Sequence, residues 1–361
     1  MRSNSDPRTP PIDRRAFLAI AGAGGLAALT APRALGWAPP HAHDLSRLAS
    51  VNFDLTYSTE IMNLPSDTEE LKIWMPLPPT DDGQEIRNLK ITCPHKYEIR
   101  PEPVYGNRTL FVSIKGRPDP FTVAANYQVE RRRIGAVEAA RAPEWDRKYL
   151  KLTDRVRVTS EVEAFTRQAV GEAKQPVEKA RAAFDAILGH LTYDKKIPGC
   201  GTGDTAWIMK HRRGKCDDFH ALFMAMMISC KIPLRWEQGF PLPNPLAGSG
   251  DPSPTGRLVG DCSGAHCWVS FFDPDLGWVP VDITEAAKHP EVSDFFFGKL
   301  SPNRFKISEG RSIVLDPPQG GDPLPTFAYA YSEADGIPLI YSANYENTIH
   351  YKITDHKSST L

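Results

Sequence analysis

The sequence contains no Cys-x-x-Cys pair, although it holds six cysteines, so the ligand spacing of a structural zinc site is missing. It also lacks an excess of either charge: 43 basic side chains face 44 acidic ones, for a net charge of −1. Without a basic field, nucleic acid and anionic membrane surfaces are poor targets. The tightest basic run, Arg131-Arg132-Arg133, follows Glu130 and reads as a solvated strand end. The N-terminal apolar stretch from Ala16 to Ala31 is too short and too rich in glycine for a membrane span of ~20 residues. No metal and no cofactor is expected.

That stretch follows Ile12-Asp13-Arg14-Arg15-Ala16-Phe17-Leu18, which resembles a twin-arginine export signal. Arg33-Ala34-Leu35-Gly36 then offers small residues spaced for cleavage after Gly36, and Pro39-Pro40 ends the segment. A buried N-terminal helix and an uncleaved anchor are the alternatives. The resemblance implies export of an already folded protein to the periplasm or beyond, with no stable membrane span once the signal is gone. Removing residues 1–36 takes away more basic than acidic side chains and leaves a mildly acidic chain.

The cysteines are Cys93, Cys200, Cys216, Cys230, Cys262 and Cys267. Outside the cytoplasm some could pair, for example Cys200 with Cys230 or Cys262, but spacing does not set connectivity. Cys216 stands apart. It follows Gly214-Lys215, where a glycine can break the backbone, and opens a helical run in which Phe219, Leu222, Phe223, Met226 and Met227 mark one buried face. A thiol in the first helical turn meets free N–H groups and the positive end of the helix dipole, which favour the thiolate and can hold an oxyanion. The plain alternative is a small buried core thiol.

A thiolate needs a base, and the base needs an orienting group. His266 lies in Gly264-Ala265-His266-Cys267-Trp268 and Asp282 ends Gly277-Trp278-Val279-Pro280-Val281-Asp282. These segments read as two strands, 266–271 and 277–283, joined by Phe272-Asp273-Pro274-Asp275-Leu276. If Phe271 faces Gly277, His266 lies directly opposite Asp282, with Cβ atoms about 5 Å apart. A slip of one residue would put them on opposite faces. Cys267 then points away from His266 and reads as a packed core thiol.

Four motifs in this order resemble those of the bacterial transglutaminase-like cysteine enzymes: Gly214-Lys215-Cys216-Asp217-Asp218-Phe219, Ile232-Pro233-Leu234-Arg235, His266-Cys267-Trp268 and Gly277-Trp278-Val279-Pro280-Val281-Asp282. The glycine usual before the second motif is replaced by Cys230-Lys231, in a turn away from the chemistry. Phe296-Phe297-Gly298, Gly310-Arg311-Ser312-Ile313 and Tyr329-Ala330-Tyr331-Ser332-Glu333 look like one secreted branch. The resemblance covers about Tyr193 to Tyr351. It implies a papain-like core with Cys216 as nucleophile, His266 as general base and Asp282 as orienter.

The fold class expected is α+β: a papain-like, transglutaminase-like core (159–355) preceded by an all-β, sandwich-like domain (45–135). Alternating strands such as Val51–Tyr57, Leu71–Met75 and Leu110–Ile114, separated by turn clusters, carry the β reading. Residues 136–158 read as a linker. Pro176 suits a first helical turn, and Val177, Ala180, Phe184, Ile187, Leu188 and Leu191 mark its helix's core face. Pro241–Gly260 has no apolar period and is either a rim over the cleft or a plain surface excursion. The tail from Phe305 to Lys352 is expected to complete the β part of the catalytic core.

Trp207, His220 and Trp268 are further cleft candidates. Trp207 either walls the cleft or fills core, and Trp268 is a core aromatic beside the site. His220, one turn after Cys216, either tunes the thiolate or is a satisfied buried histidine, the latter being favoured. Asp217 and Asp218 suit a first helical turn as caps.

The chain therefore reads as an exported thiol-dependent acyl-transfer enzyme acting on peptide or amide bonds of a protein or peptide substrate. Water as acceptor makes it a peptidase or amidase, the favoured reading; an amine acceptor would make it a crosslinker of glutamine to lysine. An arylamine acetyltransferase is weaker, since the β domain and motif order do not suit it. A secreted binding or scaffold protein with a dead core is the alternative from another class, and the intact Cys216, His266 and Asp282 argue against it. Oligomeric state is open.

Overall fold

The computed structural model describes residues 45–135, 147–246, 258–262 and 264–359. The export signal expected at 1–36 lies outside the described residues, as do much of the expected linker and most of the rim. Among the described residues no helix is long and apolar enough to cross a membrane.

Period-2 patterning builds the first half. β1 (Leu48–Ile61) buries Phe53, Leu55, Tyr57, Thr59 and Ile61 on one face and turns Asp54, Thr56 and Ser58 outward. It is followed by β2 (Glu70–Leu77), β3 (Gln84–Thr92), β4 (Tyr97–Pro101), β5 (Arg108–Lys115) and β6 (Phe121–Arg132). α1 (Ser160–Val170) and α2 (Pro176–His190) come next, then β7 (Thr192–Tyr193), α3 (Thr205–His211), β8 (Arg213–Gly214) and α4 (Cys216–Ser229). The chain continues through β9 (Leu234–Pro241), β10 (Val259–Asp261), β11 (His266–Asp273), β12 (Gly277–Val281) and α5 (Ile283–Lys288). It ends with β13 (Arg304–Glu309), β14 (Tyr331–Ala334), β15 (Ile337–Pro338) and β16 (Tyr345–Ser358).

Two five-stranded sheets, β10-β16-β1-β6-β3 and β15-β14-β2-β5-β4, form the sandwich, and the four-stranded sheet β12-β11-β9-β13 backs the helices. The tail thus differs from expectation. Only β13 joins the four-stranded sheet, while β14 pairs with β2 and β16 runs the whole length of β1, from Leu48↔Ser358 to Ile61↔Tyr345. The alternation of Tyr345, Asn347, Ile349, Tyr351 and Ile353 matches β1 and leaves that edge no other partner of equal length. Cys216, His266 and Asp282 therefore lie on an insertion between the sixth and last long strands of the sandwich.

The expected linker is also shorter than 136–158, because Val156 is fully buried in the helical core and Leu152 and Val158 pack against it. β10 returns the rim to the sandwich edge against β16. α4 differs from a one-faced amphipathic helix: Phe219 through Met227 are all buried, so it is a central helix wrapped on every side. α2 buries Ala180, Ala183, Phe184 and Ile187 against it, on the face read from the sequence.

Candidate active site

The start of α4 is built by glycines and one acid. Asp218 is fully buried. Its Oδ2 accepts from Lys215 N at 2.9 Å, and its Oδ1 accepts from Thr202 N and Oγ1 at 2.8 Å and from Gly203 N at 3.0 Å. One carboxylate thus ties loop 200–203 to the helix entry. Gly214 is needed for close approach and does not break the backbone: it lies in β8, and a Cβ there would sit 2.3 Å from Asp218 Cβ. The tied loop brings Cys200 O to 3.0 Å from Asp217 N, which donates to it, and to 3.7 Å from Cys216 Sγ.

β11 and β12 pair Val269 with Val281 and Phe271 with Val279, two residues away from the expected register. The turn is shorter than its composition suggests. Asp273 Oδ1 accepts from Asp275 N and Leu276 N, and Gly277 takes a left-handed φ of 77°, which closes a three-residue loop. A shift of two preserves the face of every side chain, so His266 and Asp282 become diagonal neighbours instead of direct ones. His266 Nε2 still reaches Asp282 Oδ2 at 2.8 Å. That leaves Nδ1 for Cys216, whose thiolate favours the imidazolium.

Asp282 ends the strand as the N-cap of α5 and is fully buried. Its Oδ1 accepts from Thr284 Oγ1 and Glu285 N at 3.0 Å, and its Oδ2 accepts from Arg304 Nη1 at 2.5 Å as well as from His266. Burial opposes its charge, but His266 and Arg304 outweigh burial and hold it well below the usual carboxylate range. Burial likewise opposes the His266 imidazolium, and Asp282, then Cys216, overcome it and raise His266 to about 9. The Cys216 thiol is pulled well below its ordinary value by hydrogen bonds from Cys200 and Cys267, against burial, with His266 adding to the pull. The three groups favour a thiolate–imidazolium pair beside an ionised carboxylate.

A cavity of about 360 Å³ opens on Cys216 and His266 and is lined further by Tyr193, Cys200, Lys215, Ala265, Glu285 and Lys288. None of the three extra cleft candidates lines it. His220 is fully buried under the site: its Nε2 accepts from Ile283 N at 3.1 Å, so Nδ1 carries the proton and donates to Cys216 O at 2.8 Å. It pins the turn that carries Cys216 to the start of α5. Trp268 is buried beneath Arg304, whose guanidinium lies 5.1 Å from its ring, and its indole N–H donates to Glu237. Trp207 stacks on His211 at 4.5 Å, on α3 and away from the cavity.

All six cysteines are free. Cys200 stands at the entry of α4 and Cys230 at its far end, so they do not pair. Cys267 is buried as expected, yet it is turned toward the site, with Sγ 3.6 Å from His220 Nδ1. His266, Asp282 and Glu285 bring three ligand atoms within 4.8 Å. Their geometry suits no metal, because Asp282 Oδ2 is already held by His266 and by the cationic Arg304. Arg304, Lys215 and Lys288 were not visible as site residues in the sequence, since lone basic residues on short elements carry no pattern.

Residues 163–283 match the model of the transglutaminase-like superfamily. An uncharacterized protein of Haemophilus influenzae is 23% identical over 323 residues, covering 80% of this chain and 87% of its own. The uncharacterized protein YebA of Bacillus subtilis is 27% identical over 89 residues, which is 23% of this chain and 11% of YebA. Among solved structures, that of a candidate cysteine protease from Cytophaga hutchinsonii has a TM-score of 0.50 at 15% identity, over 84% of this chain and 98% of that one, a likeness of fold. The periplasmic domain of TgpA from Pseudomonas aeruginosa has a TM-score of 0.35 at 16% identity, over 70% of this chain and 94% of that domain. The matched segment spans α4, β11, β12 and Asp282, the elements that build the cleft, and this segment is a transglutaminase-like domain.

Proposed function

We propose that this chain is an exported cysteine hydrolase that cleaves peptide or amide bonds, with Cys216 as nucleophile, His266 as acid and base, and Asp282 as the group that orients His266. The observation that carries it is the continuous relay Cys216–His266–Asp282 at the mouth of a cavity, with the thiol low and the imidazole high in pKa. The Cys216 thiolate attacks the carbonyl carbon, forming a C–S bond. His266 gives its proton to the departing amine as the C–N bond breaks. Water then attacks the thioester, His266 takes the water's proton, and the C–S bond breaks to restore the thiolate.

The oxyanion faces the entry of α4. Asp217 N already donates to Cys200 O, so the amide of Cys216 itself is the N–H left for the developing charge, aided by the helix dipole. Export rests on the resemblance of residues 1–36 to a twin-arginine signal.

Mass spectrometry of mature protein and its Cys216→Ala variant, each with a glutamine- and lysine-rich protein and a primary amine, tests the reading. Cleaved or deamidated products absent in the variant support hydrolysis. Amine incorporation or isopeptide bonds absent in the variant make the acceptor an amine and overturn the hydrolytic part. Identical outcomes for both proteins, with Cys216 labelled by iodoacetamide no faster than a model thiol, would leave the scaffold reading.

A further inference from the structure

The cavity at Cys216 holds more positive than negative charge, and the excess sits on one side chain. Lys288 Nζ is 2.8 Å from Glu285 Oε1 and lies over the Tyr193 ring at 4.7 Å, so these two charges cancel within the wall. The thiolate and the imidazolium cancel in the same way. Lys215 remains. It is half-buried, precedes the nucleophile, and lines the same cavity. Its ammonium donates to Gly199 O at 2.9 Å, and among the described residues no carboxylate lies within ion-pair distance of it. An ammonium has three donors, so two remain to point into the cleft. The chain as a whole carries a net charge of −1, so this positive spot is local.

We propose that Lys215 makes the cleft selective for acyl donors carrying a carboxylate beside the scissile carbonyl. The inference rests on the thiol-enzyme reading, and names the substrate class for that site. The half-buried stem fixes where the ammonium can reach. Its place one residue before Cys216 sets the carboxylate within a residue or so of the acyl carbon. Two sources offer that group, a Glu or Asp side chain and a free chain terminus, and they share the recognition chemistry.

The first test needs no turnover. Cys216 in the mature protein is alkylated with anionic iodoacetate and with neutral iodoacetamide at low ionic strength. Both reagents draw on the same thiolate, so the ratio of their rates cancels any change in thiol pKa. In Lys215→Met the iodoacetate-to-iodoacetamide ratio should fall about fivefold, and further in Lys215→Glu. In the unmutated protein the ratio should fall as salt is added. A ratio indifferent to both salt and Lys215→Met overturns the proposal.

The second test pairs peptides that differ by Glu against Gln at the acyl residue's neighbour, and by a free against an amidated terminus. The acidic member should be preferred, chiefly through KM, and in Lys215→Met the acidic-to-neutral ratio of kcat/KM should fall toward unity. Equal rates on all members would overturn the specificity alone. No Cys216-dependent turnover of any peptide, with the alkylation ratio still set by Lys215, would sink the hydrolase reading and leave the anion selectivity standing.

Discussion

Arg304 and His266 share one oxygen of Asp282: Arg304 Nη1 lies 2.5 Å and His266 Nε2 2.8 Å from the same Oδ2. The carboxylate is fully buried, so each cation helps to offset the cost of taking it out of water. Arg304 arrives from β13 and rests on the Trp268 ring. Removing it leaves Asp282 with a single charged partner. Arg304→Met should therefore lower stability by about 3–5 kcal/mol, and Arg304→Lys by less. Urea unfolding of both variants checks this; a loss below about 1 kcal/mol in Arg304→Met would show that His266 alone compensates the charge.

His266 binds its proton more tightly when folded than its ordinary value of 6.5, being raised to about 9 with Asp282 as the cause that overcomes burial. The protonated form is thus favoured by the native state. Its contribution to stability is fully present below pH 6.5 and fades as pH climbs through about 9. Activity that needs the imidazolium as proton donor should fall on its alkaline side near the same pH. In Asp282→Asn that alkaline limb should move down, because the raising charge is gone. A kcat/KM profile from pH 5 to 10 measures it, and an unmoved limb in Asp282→Asn would assign the limb to another group.

Within α4, His220 donates to Cys216 O and accepts from Ile283 N at the start of α5. It is fully buried, does not line the cavity at Cys216, and its pKa is lowered by burial, so it stays neutral. His220→Ala should orphan the buried Ile283 N–H at about 1–3 kcal/mol and leave Cys216 O with its helical bond alone. Iodoacetamide labelling of Cys216 in the folded variant should persist at mildly acidic pH. A variant with unchanged unfolding and abolished labelling would instead give His220 a direct part in the thiol's chemistry.

Gly214 faces Asp218 so closely that a methyl group would sit 2.3 Å from Asp218 Cβ. Gly214→Ala should push the helix entry off loop 200–203 and destabilise the fold by about 1–3 kcal/mol. It should also slow Cys216 alkylation, since Asp218 holds the loop that carries Cys200. A stable Gly214→Ala protein with normal alkylation would show that the entry can shift without loss.

Gly214 illustrates how a correct residue can be read for the wrong reason. The sequence marks a glycine before Cys216, and only the packing shows that the demand is space for Asp218 and not a bend. The β11–β12 register is similar. Alternation identified both strands and the shared face of His266 and Asp282, while the Asp273-capped loop moved the pairing by two residues. Because the shift was even, the site survived it.

By itself the sequence determined the elements and the candidate site: β alternation from Val51 onward, an apolar helix opened by Cys216, and a histidine and an aspartate brought together by paired strands. These depend on period and local composition, which the chain states outright. The tertiary structure alone decided that β16 returns to β1, that α4 is buried on every side, and that Arg304 meets Asp282. It also decided that Trp207, His220 and Trp268 stay out of the cavity while Lys215 and Lys288 enter it. Those outcomes join residues far apart in the chain, and the choice among partners follows from burying charge and apolar surface together, which no local pattern records.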